Sequence, residues 1–200
     1  MNIGIYGGSF NPIHRGHIAL ARQILRKERL DQIWLMVSPQ NPLKQGQSDL
    51  LADDLRLSLT RKALADESKL IACDYEFHLP RPSYTWDTLQ SLSKDYPEHD
   101  FSLIIGADNW LLFDRWYRAA DILKNYRIIV YPREGSPIDS ATLPPTVSLV
   151  NTRLYNVSSS DIRRRVREGR AVRRLVPVAI YDEVLAHYQH SSELLNSCNS

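Results

Sequence analysis

"MNIGIYGGSFNPIHRGH", Met1 to His17, sets how the rest of the chain is read. Met1 to Tyr6 has the composition of a buried strand, and Ile18, Ala21, Ile24 and Leu25 recur at helical spacing in a segment that runs to Glu28. Between them stand Gly7, Gly8, Ser9, Asn11 and Pro12, which are turn formers. A short buried strand, a bare turn and an amphipathic helix form the opening unit of a parallel sheet.

The same alternation continues along the chain. "QIWLMV" (Gln32 to Val37) lacks polar alternation and reads as a strand buried on both faces. A polar loop with two prolines precedes a helix from Asp53 to Leu64, "KLIAC" is a third strand, and "SYTWDTLQSLSK" is a helix entered from a Pro-rich turn. "FSLIIG" (Phe101 to Gly106) and "YRIIVY" (Tyr126 to Tyr131) are strands, with a helix expected over Asp114 to Leu123. Pro132 to Pro145 holds four prolines and reads as a surface loop. A helix starts near Ser158, and a last one covers Val178 to His190. The expectation is an α/β fold, a Rossmann-like doubly wound parallel sheet with helices on both faces. Residues 1–190 form one domain, 158–190 its helical carboxyl-terminal part, and 191–200 a frayed tail.

Composition narrows the class. The 200 residues are 43% apolar and 24% charged, as in an ordinary globular protein. No stretch reaches the roughly 18 apolar residues of a membrane helix, and no basic segment followed by an apolar one opens the chain, so the expected location is the cytoplasm, with no membrane partner. Cys73 and Cys198 are too few for a disulfide framework. The formal charge is only +2, so polyanion affinity would have to come from a cluster such as "RRRVREGRAVRR", Arg163 to Arg174, which reads first as a solvated helix face.

In an open parallel sheet, ligands settle at the carboxyl ends of the strands. Gly7 and Gly8 let backbone amides approach a phosphate, and the following helix adds partial positive charge. The pattern is neither GxGxxG nor GxxxxGK[ST], which disfavours dehydrogenases and P-loop enzymes. His14 and His17 lie one helical turn apart, with Gly16 between them leaving room for a bulky ligand. Three readings stay open for the pair: phosphate donors, structural histidines, or zinc ligands, the last needing a third ligand such as Cys73. A second anion site is written in "NVSSSDIRRR", where Ser158 to Asp161 make a helix start and Arg163 falls in the first turn. Two such junctions together point to a nucleoside triphosphate.

These residues carry a resemblance. "GGSFNPIHRGH" resembles the (T/H)xGH signature of the nucleotidyltransferase superfamily, and "NVSSSDIR" its ISSTxxR signature. With "RPSYTWDTL", "IIGADNW" and "FDRWY" in order between them, the chain is similar to the bacterial nicotinate-nucleotide adenylyltransferases from Met1 to about Tyr188. That family joins ATP and nicotinate mononucleotide into deamido-NAD and pyrophosphate in NAD biosynthesis.

The resemblance implies roles. Gly7, Gly8, Ser9 and Phe10 would lie along the phosphates and ribose, with His14, His17 and Lys44 on the triphosphate. Gly106 and Asp108 would hold the ribose, and Ser158, Ser159 and Arg163 the adenosine and outer phosphates. For the mononucleotide, Ser83, Tyr84, Thr85, Trp116 and Tyr117 form the site, Trp116 stacking on the pyridine while the amides of Thr85 and Tyr117 take its carboxylate. Backbone donors favour an acid over an amide. Without the resemblance, Trp116 reads equally as a packing residue, Asp108 as a helix cap and Lys44 as a loop lysine. Mg²⁺ would arrive with ATP, with no metal ligand from protein side chains. Asn11 stands where relatives have aspartate, and Ser160 where they have threonine. Rival readings are a nicotinamide-nucleotide or pantetheine-phosphate adenylyltransferase, and a nucleotide- or RNA-binding module using the arginine cluster, whereas the main reading needs no nucleic acid. A homo-oligomer is compatible with all of them.

Overall fold

The computed structural model describes residues 1–39, 49–153 and 155–189. In chain order the elements are β1 (Asn2–Gly8), α1 (Arg15–Lys27), β2 (Gln32–Val37), α2 (Asp53–Ala63), β3 (Leu70–Cys73), α3 (Thr85–Asp95) and β4 (Asp100–Gly106). They continue with α4 (Ala107–Trp110), α5 (Ala119–Asn125), β5 (Arg127–Tyr131), β6 (Val147–Leu149), α6 (Ser159–Arg167) and α7 (Tyr181–Gln189). The six strands are all parallel and stand in the order β3-β2-β1-β4-β5-β6. Strand order reverses between β1 and β4, which opens a crevice at their carboxyl ends.

Side-chain alternation explains why both faces are covered. From β1, β4 and β5, Ile3, Ile5, Leu103, Ile105, Ile128 and Val130 pack on one face with Leu89 and Leu92 of α3 and Ile122 of α5. Tyr6, Ile104, Ile129 and Tyr131 point the other way, joining Ile33, Leu35 and Val37 of β2 beneath α1, α2, α6 and α7. Each fully buried aliphatic side chain contributes about 1.5–3 kcal/mol, so the two apolar layers supply most of the driving force. At Gly4 there is no room for a side chain: a Cβ would come within 2.6 Å of Ile104 and 2.8 Å of Leu30.

Three expectations are corrected. Gly7 and Gly8 are the last residues of β1, paired with Met36 and Val37, and the turn falls after them, where Phe10 has φ of 44° ahead of the cis Asn11–Pro12 bond. The helix expected over Asp114 to Leu123 is a 3₁₀ turn at Phe113–Arg115 followed by α5. An extended Trp116 and a left-handed Arg118 (φ 55°) separate the two, which breaks the helical path. The first helix begins at Arg15 rather than Ile18, because His14 caps it. No described helix is long and apolar enough to cross a membrane. The tail expected beyond His190 lies outside the described residues, as does Cys198.

Candidate active site

A cleft of about 260 Å³ opens at the crevice between β1 and β4. Gly7 and Gly8 line it from β1, Gly106 from the end of β4, Ser83, Tyr84 and Thr85 from the entrance to α3, and Trp116 and Tyr117 from the break before α5. The five residues expected on the mononucleotide and three of those expected on ATP, Gly7, Gly8 and Gly106, therefore line one opening. Tyr84 makes no side-chain cap on the first amides of α3, and Thr85, its first residue, lines the cleft. Trp116 is half-buried against Phe113, with ring centroids 5.4 Å apart, and also lines the cleft, so it both packs and faces the opening. Its indole N–H is buried and has no hydrogen-bond partner among the described residues. The Tyr84 and Tyr117 rings lie 4.9 Å apart at the mouth.

Behind Tyr6 sits the histidine pair. His14 is the N-cap of α1, and its Nδ1 accepts from the His17 amide at 3.3 Å, while His17 Nδ1 accepts from the His14 amide at 3.2 Å. The rings stack at 3.6 Å and 19°. A neutral imidazole has one proton, so two accepting Nδ1 atoms put the proton on Nε2 of each ring. The pair presents two N–H donors from one stack. Burial, aided by the nearby Arg133 charge, lowers the His14 pKa from the ordinary 6.5 to about 3, keeping that ring uncharged at neutral pH. Zinc ligation needs a bare Nε2, and Cys73 lies on β3, two strands from β1, with burial pushing its thiol up to about 11. This geometry disfavours the zinc reading; the phosphate-donor and structural readings coexist, since the caps use Nδ1 of each ring. Gly16 is buried rather than open to ligand: a Cβ there would meet His14 Nδ1 at 3.0 Å and Tyr155 at 3.4 Å.

The second junction closes on the first. Ser158 caps α6 by accepting from the Asp161 amide at 3.1 Å, Ser159 Oγ donates to the Pro12 carbonyl at 2.9 Å, and Arg163 donates to the Asn11 carbonyl at 2.8 Å. Arg163 is only 7% exposed and also pairs with Asp49 at 2.6 Å. In this structure its guanidinium fixes the turn after β1 rather than pointing freely outward. Phe10 likewise is core, its ring beneath Gly8 and 5.1 Å from His17, so its backbone is the part available to a ligand. Ser9 is partly buried with its carbonyl turned into the protein. Asp108 is half-exposed in the first turn of α4 and faces Arg133 at 3.4 Å; Gly106, not Asp108, is the cap. Lys44 lies outside the described residues.

Asn11 in place of aspartate has a physical account. Its Nδ2 donates to the Asp49 carbonyl at 2.9 Å, and its Oδ1 accepts from the Leu51 amide at 3.2 Å and the Tyr188 hydroxyl at 2.6 Å. A carboxylate would accept the last two but face the Asp49 carbonyl without a donor. Nothing in the structure explains Ser160 in place of threonine.

Residues to which the sequence reading gave no site role also line the cleft: Glu76, Thr88, Asn109, Arg115 and Tyr131. Glu76 is buried, accepts from Thr88 Oγ1 at 2.9 Å, and has its pKa raised by burial against the pull of nearby hydroxyls. A lone glutamate in "DYEFH" gives no sequence signal. The arginine cluster is largely paired: Arg164 and Arg165 hold Asp161, Arg164 and Arg170 face Glu168, Arg167 reaches Asp49, and Arg173 covers the Tyr181 ring. It is an ion-paired face, which weakens the case for a polyanion groove. Among the described residues no three His, Cys, Asp or Glu side chains gather to hold a metal ion.

Comparison with known proteins agrees with this geometry. A family model described as cytidylyltransferase-like matches residues 5–165. A Bacteroides thetaiotaomicron protein named a probable nicotinate-nucleotide adenylyltransferase is 46% identical over 96% of this chain and 94% of its own, and a Bacteroides fragilis protein of the same name is 43% identical over 98% and 97%. The solved Plasmodium falciparum nicotinic acid mononucleotide adenylyltransferase complexed with NaAD shares the fold, with TM-score 0.76 at 21% identity, over 93% of each chain. With the signature turns, the switch-point cleft and full-length relatives in agreement, the chain belongs to the cytidylyltransferase-like family, within its nicotinate-nucleotide adenylyltransferase group.

Proposed function

We propose that the chain transfers the adenylyl group of ATP to nicotinate mononucleotide, giving deamido-NAD and pyrophosphate. The observation that carries this is the junction of the two phosphate-type turns, Ser159 on Pro12 at 2.9 Å and Arg163 on Asn11 at 2.8 Å, together with the cleft lined by Gly7, Gly8, Ser83 to Thr85, Trp116 and Tyr117. The names of the relatives point the same way.

A phosphate oxygen of the mononucleotide attacks the α-phosphorus of ATP, a new P–O bond forms, and the bond from that phosphorus to the α,β-bridging oxygen breaks as pyrophosphate leaves. The nucleophile is already anionic at neutral pH, because a phosphate monoester's second pKa is about 6, so no side chain has to remove a proton. What the protein supplies is placement, worth roughly 7–11 kcal/mol, and preaimed donors, worth about 3–4 kcal/mol where one has been removed from an oxyanion site. The Nε2–H groups of His14 and His17 donate to the triphosphate without changing charge, which suits a reaction with no proton transfer. Lys44 and the N-termini of α1 and α6 add positive potential. Arg163 holds the turn and offers its remaining N–H groups to the outer phosphates. Mg²⁺ carried on the triphosphate would supply charge neutralisation for the departing pyrophosphate, while the N–H groups named above would hold the phosphates.

At the mononucleotide side, Trp116 stacks on the pyridine and the amides at the entrance to α3 take the carboxylate. A carboxamide would set N–H groups against N–H groups, so the acid is preferred. Pyrophosphate release from ATP and Mg²⁺, measured with nicotinate mononucleotide, nicotinamide mononucleotide and phosphopantetheine in turn, tests the proposal. Turnover confined to the acid supports it, and faster turnover of either rival replaces it.

A further inference from the structure

Among the described residues Arg56 is the largest wholly buried side chain, at 0% exposure, and nothing in the reaction as described uses it. Burying a guanidinium costs several kcal/mol unless its donors are met. Here they are met by separate stretches of the chain. One Nη donates to the carbonyls of Ser9 at 2.6 Å and Ser38 at 2.9 Å, Nε donates to that of Leu51 at 2.9 Å, and the other Nη donates to Asp53 Oδ1 at 2.5 Å. The second oxygen of Asp53 takes Arg81 at 2.8 Å, and Arg81 stands two residues ahead of Ser83, where the chain enters α3.

These contacts form one line: the turn after β1, Arg56, Asp53, Arg81, and the turn that carries Ser83 to Thr85. Its two ends adjoin residues that line the cleft, Gly8 at one end and Ser83 to Thr85 at the other. Peptide planarity gives the first link a direction, because the trans Ser9–Phe10 peptide sends the Phe10 N–H opposite to the Ser9 carbonyl. Pinning that carbonyl on a buried cation therefore fixes where the amide of the glycine-rich turn points. A planar fork with five donors can serve four acceptors at once, whereas an ammonium cannot.

We propose that Arg56, Asp53 and Arg81 are positioning residues which hold the ATP turn and the mononucleotide turn in register across the cleft. The proposal rests on the function given above. Arg56 sets the phosphate turn, and Asp53 shares its carboxylate between the two arginines so that displacement of one turn is felt at the other. A surface ion pair such as Asp53–Arg81, with Arg81 54% exposed, would otherwise contribute little and alter no kinetic constant.

The test is a double-mutant cycle on the full chain, with KM for each substrate, kcat and melting temperature read for R81Q, D53N, the double variant and R56K. R81Q removes an exposed group, so its melting temperature should match the parent protein; its mononucleotide KM should rise roughly fivefold with kcat within about twofold, the size of coupling expected between groups in contact. In the D53N background the same substitution should add nothing further. R56K keeps the charge but not the fork, and should raise the ATP KM by roughly tenfold or more while the protein stays folded. Parent-like kinetics for R81Q, or effects of R81Q and D53N that multiply, overturn the linkage while leaving the adenylyl transfer of the parent protein intact. A parent protein without pyrophosphate release overturns both.

Discussion

Acid should destabilise this protein through His14 in a way that a single substitution removes. His14 is 4% exposed, and burial lowers its pKa from the ordinary 6.5 to about 3. Above pH 6.5 the imidazole is neutral in both folded and unfolded chains, and its contribution to stability is complete. As pH falls from about 6.5 toward 3, the unfolded chain takes up the proton while the folded one does not, so stability is lost across that window. At 1.36 kcal/mol for each unit of separation, the loss at pH 5 relative to pH 8 is about 2 kcal/mol from this residue alone. Asparagine at position 14 keeps a good N-cap acceptor for the His17 amide but does not titrate. Urea unfolding of the parent protein and H14N at pH 8 and pH 5 isolates the effect, because every other titrating group is common to both. The parent should lose about 2 kcal/mol more than H14N between the two conditions. Equal losses would mean that His14 protonates freely in the fold, and with that the paired Nε2–H donors would have no basis.

Three further outcomes follow from the site. H17A should lower kcat by roughly a hundredfold or more, the scale of losing one preaimed donor, with a stability cost near 1 kcal/mol from the broken capping box, read by stopped assay and thermal melt. W116A should weaken the mononucleotide by roughly tenfold or more, in keeping with about 1–3 kcal/mol for stacking a base on an aromatic ring, while ATP affinity measured by calorimetry stays within about twofold. G16A should destabilise by about 1–3 kcal/mol although alanine ordinarily favours a helix over glycine, because its Cβ would press at 3.0 Å on an imidazole already fixed by stacking and capping. A more stable G16A in a calorimetric scan would show that the stack yields.

How far the sequence led can be seen at particular residues. Unbroken apolar runs such as Gln32 to Val37 announced strands covered on both sides, and these strands form the centre of the sheet. The turn chemistry of Met1 to His17 announced the switch point, but glycines compatible with a turn are equally compatible with two more strand residues, and pairing with β2 decided the matter. His14 and His17 were legible by spacing; their reciprocal capping was not, since a histidine is an uncommon N-cap. Trp116 and Tyr117 were named by resemblance, while the left-handed Arg118 that precedes α5 beside them had no sequence mark. Arg56 did leave a faint one. It lies four residues before Thr60 and three before Leu59, on the buried side of α2, where a cation must have partners. Two of those partners, Ser9 and Ser38, come from segments 47 and 18 residues away, which periodicity along a single helix cannot disclose.

The account turns on where a triphosphate comes to rest, and a crystal structure with a non-hydrolysable ATP analogue and Mg²⁺ measures that directly. The expected density places the phosphates against the Nε2 atoms of both stacked histidines and the start of α6, with the α-phosphorus facing the Trp116 cleft. An analogue seated elsewhere, or bound with either histidine turned away from its phosphates, contradicts it.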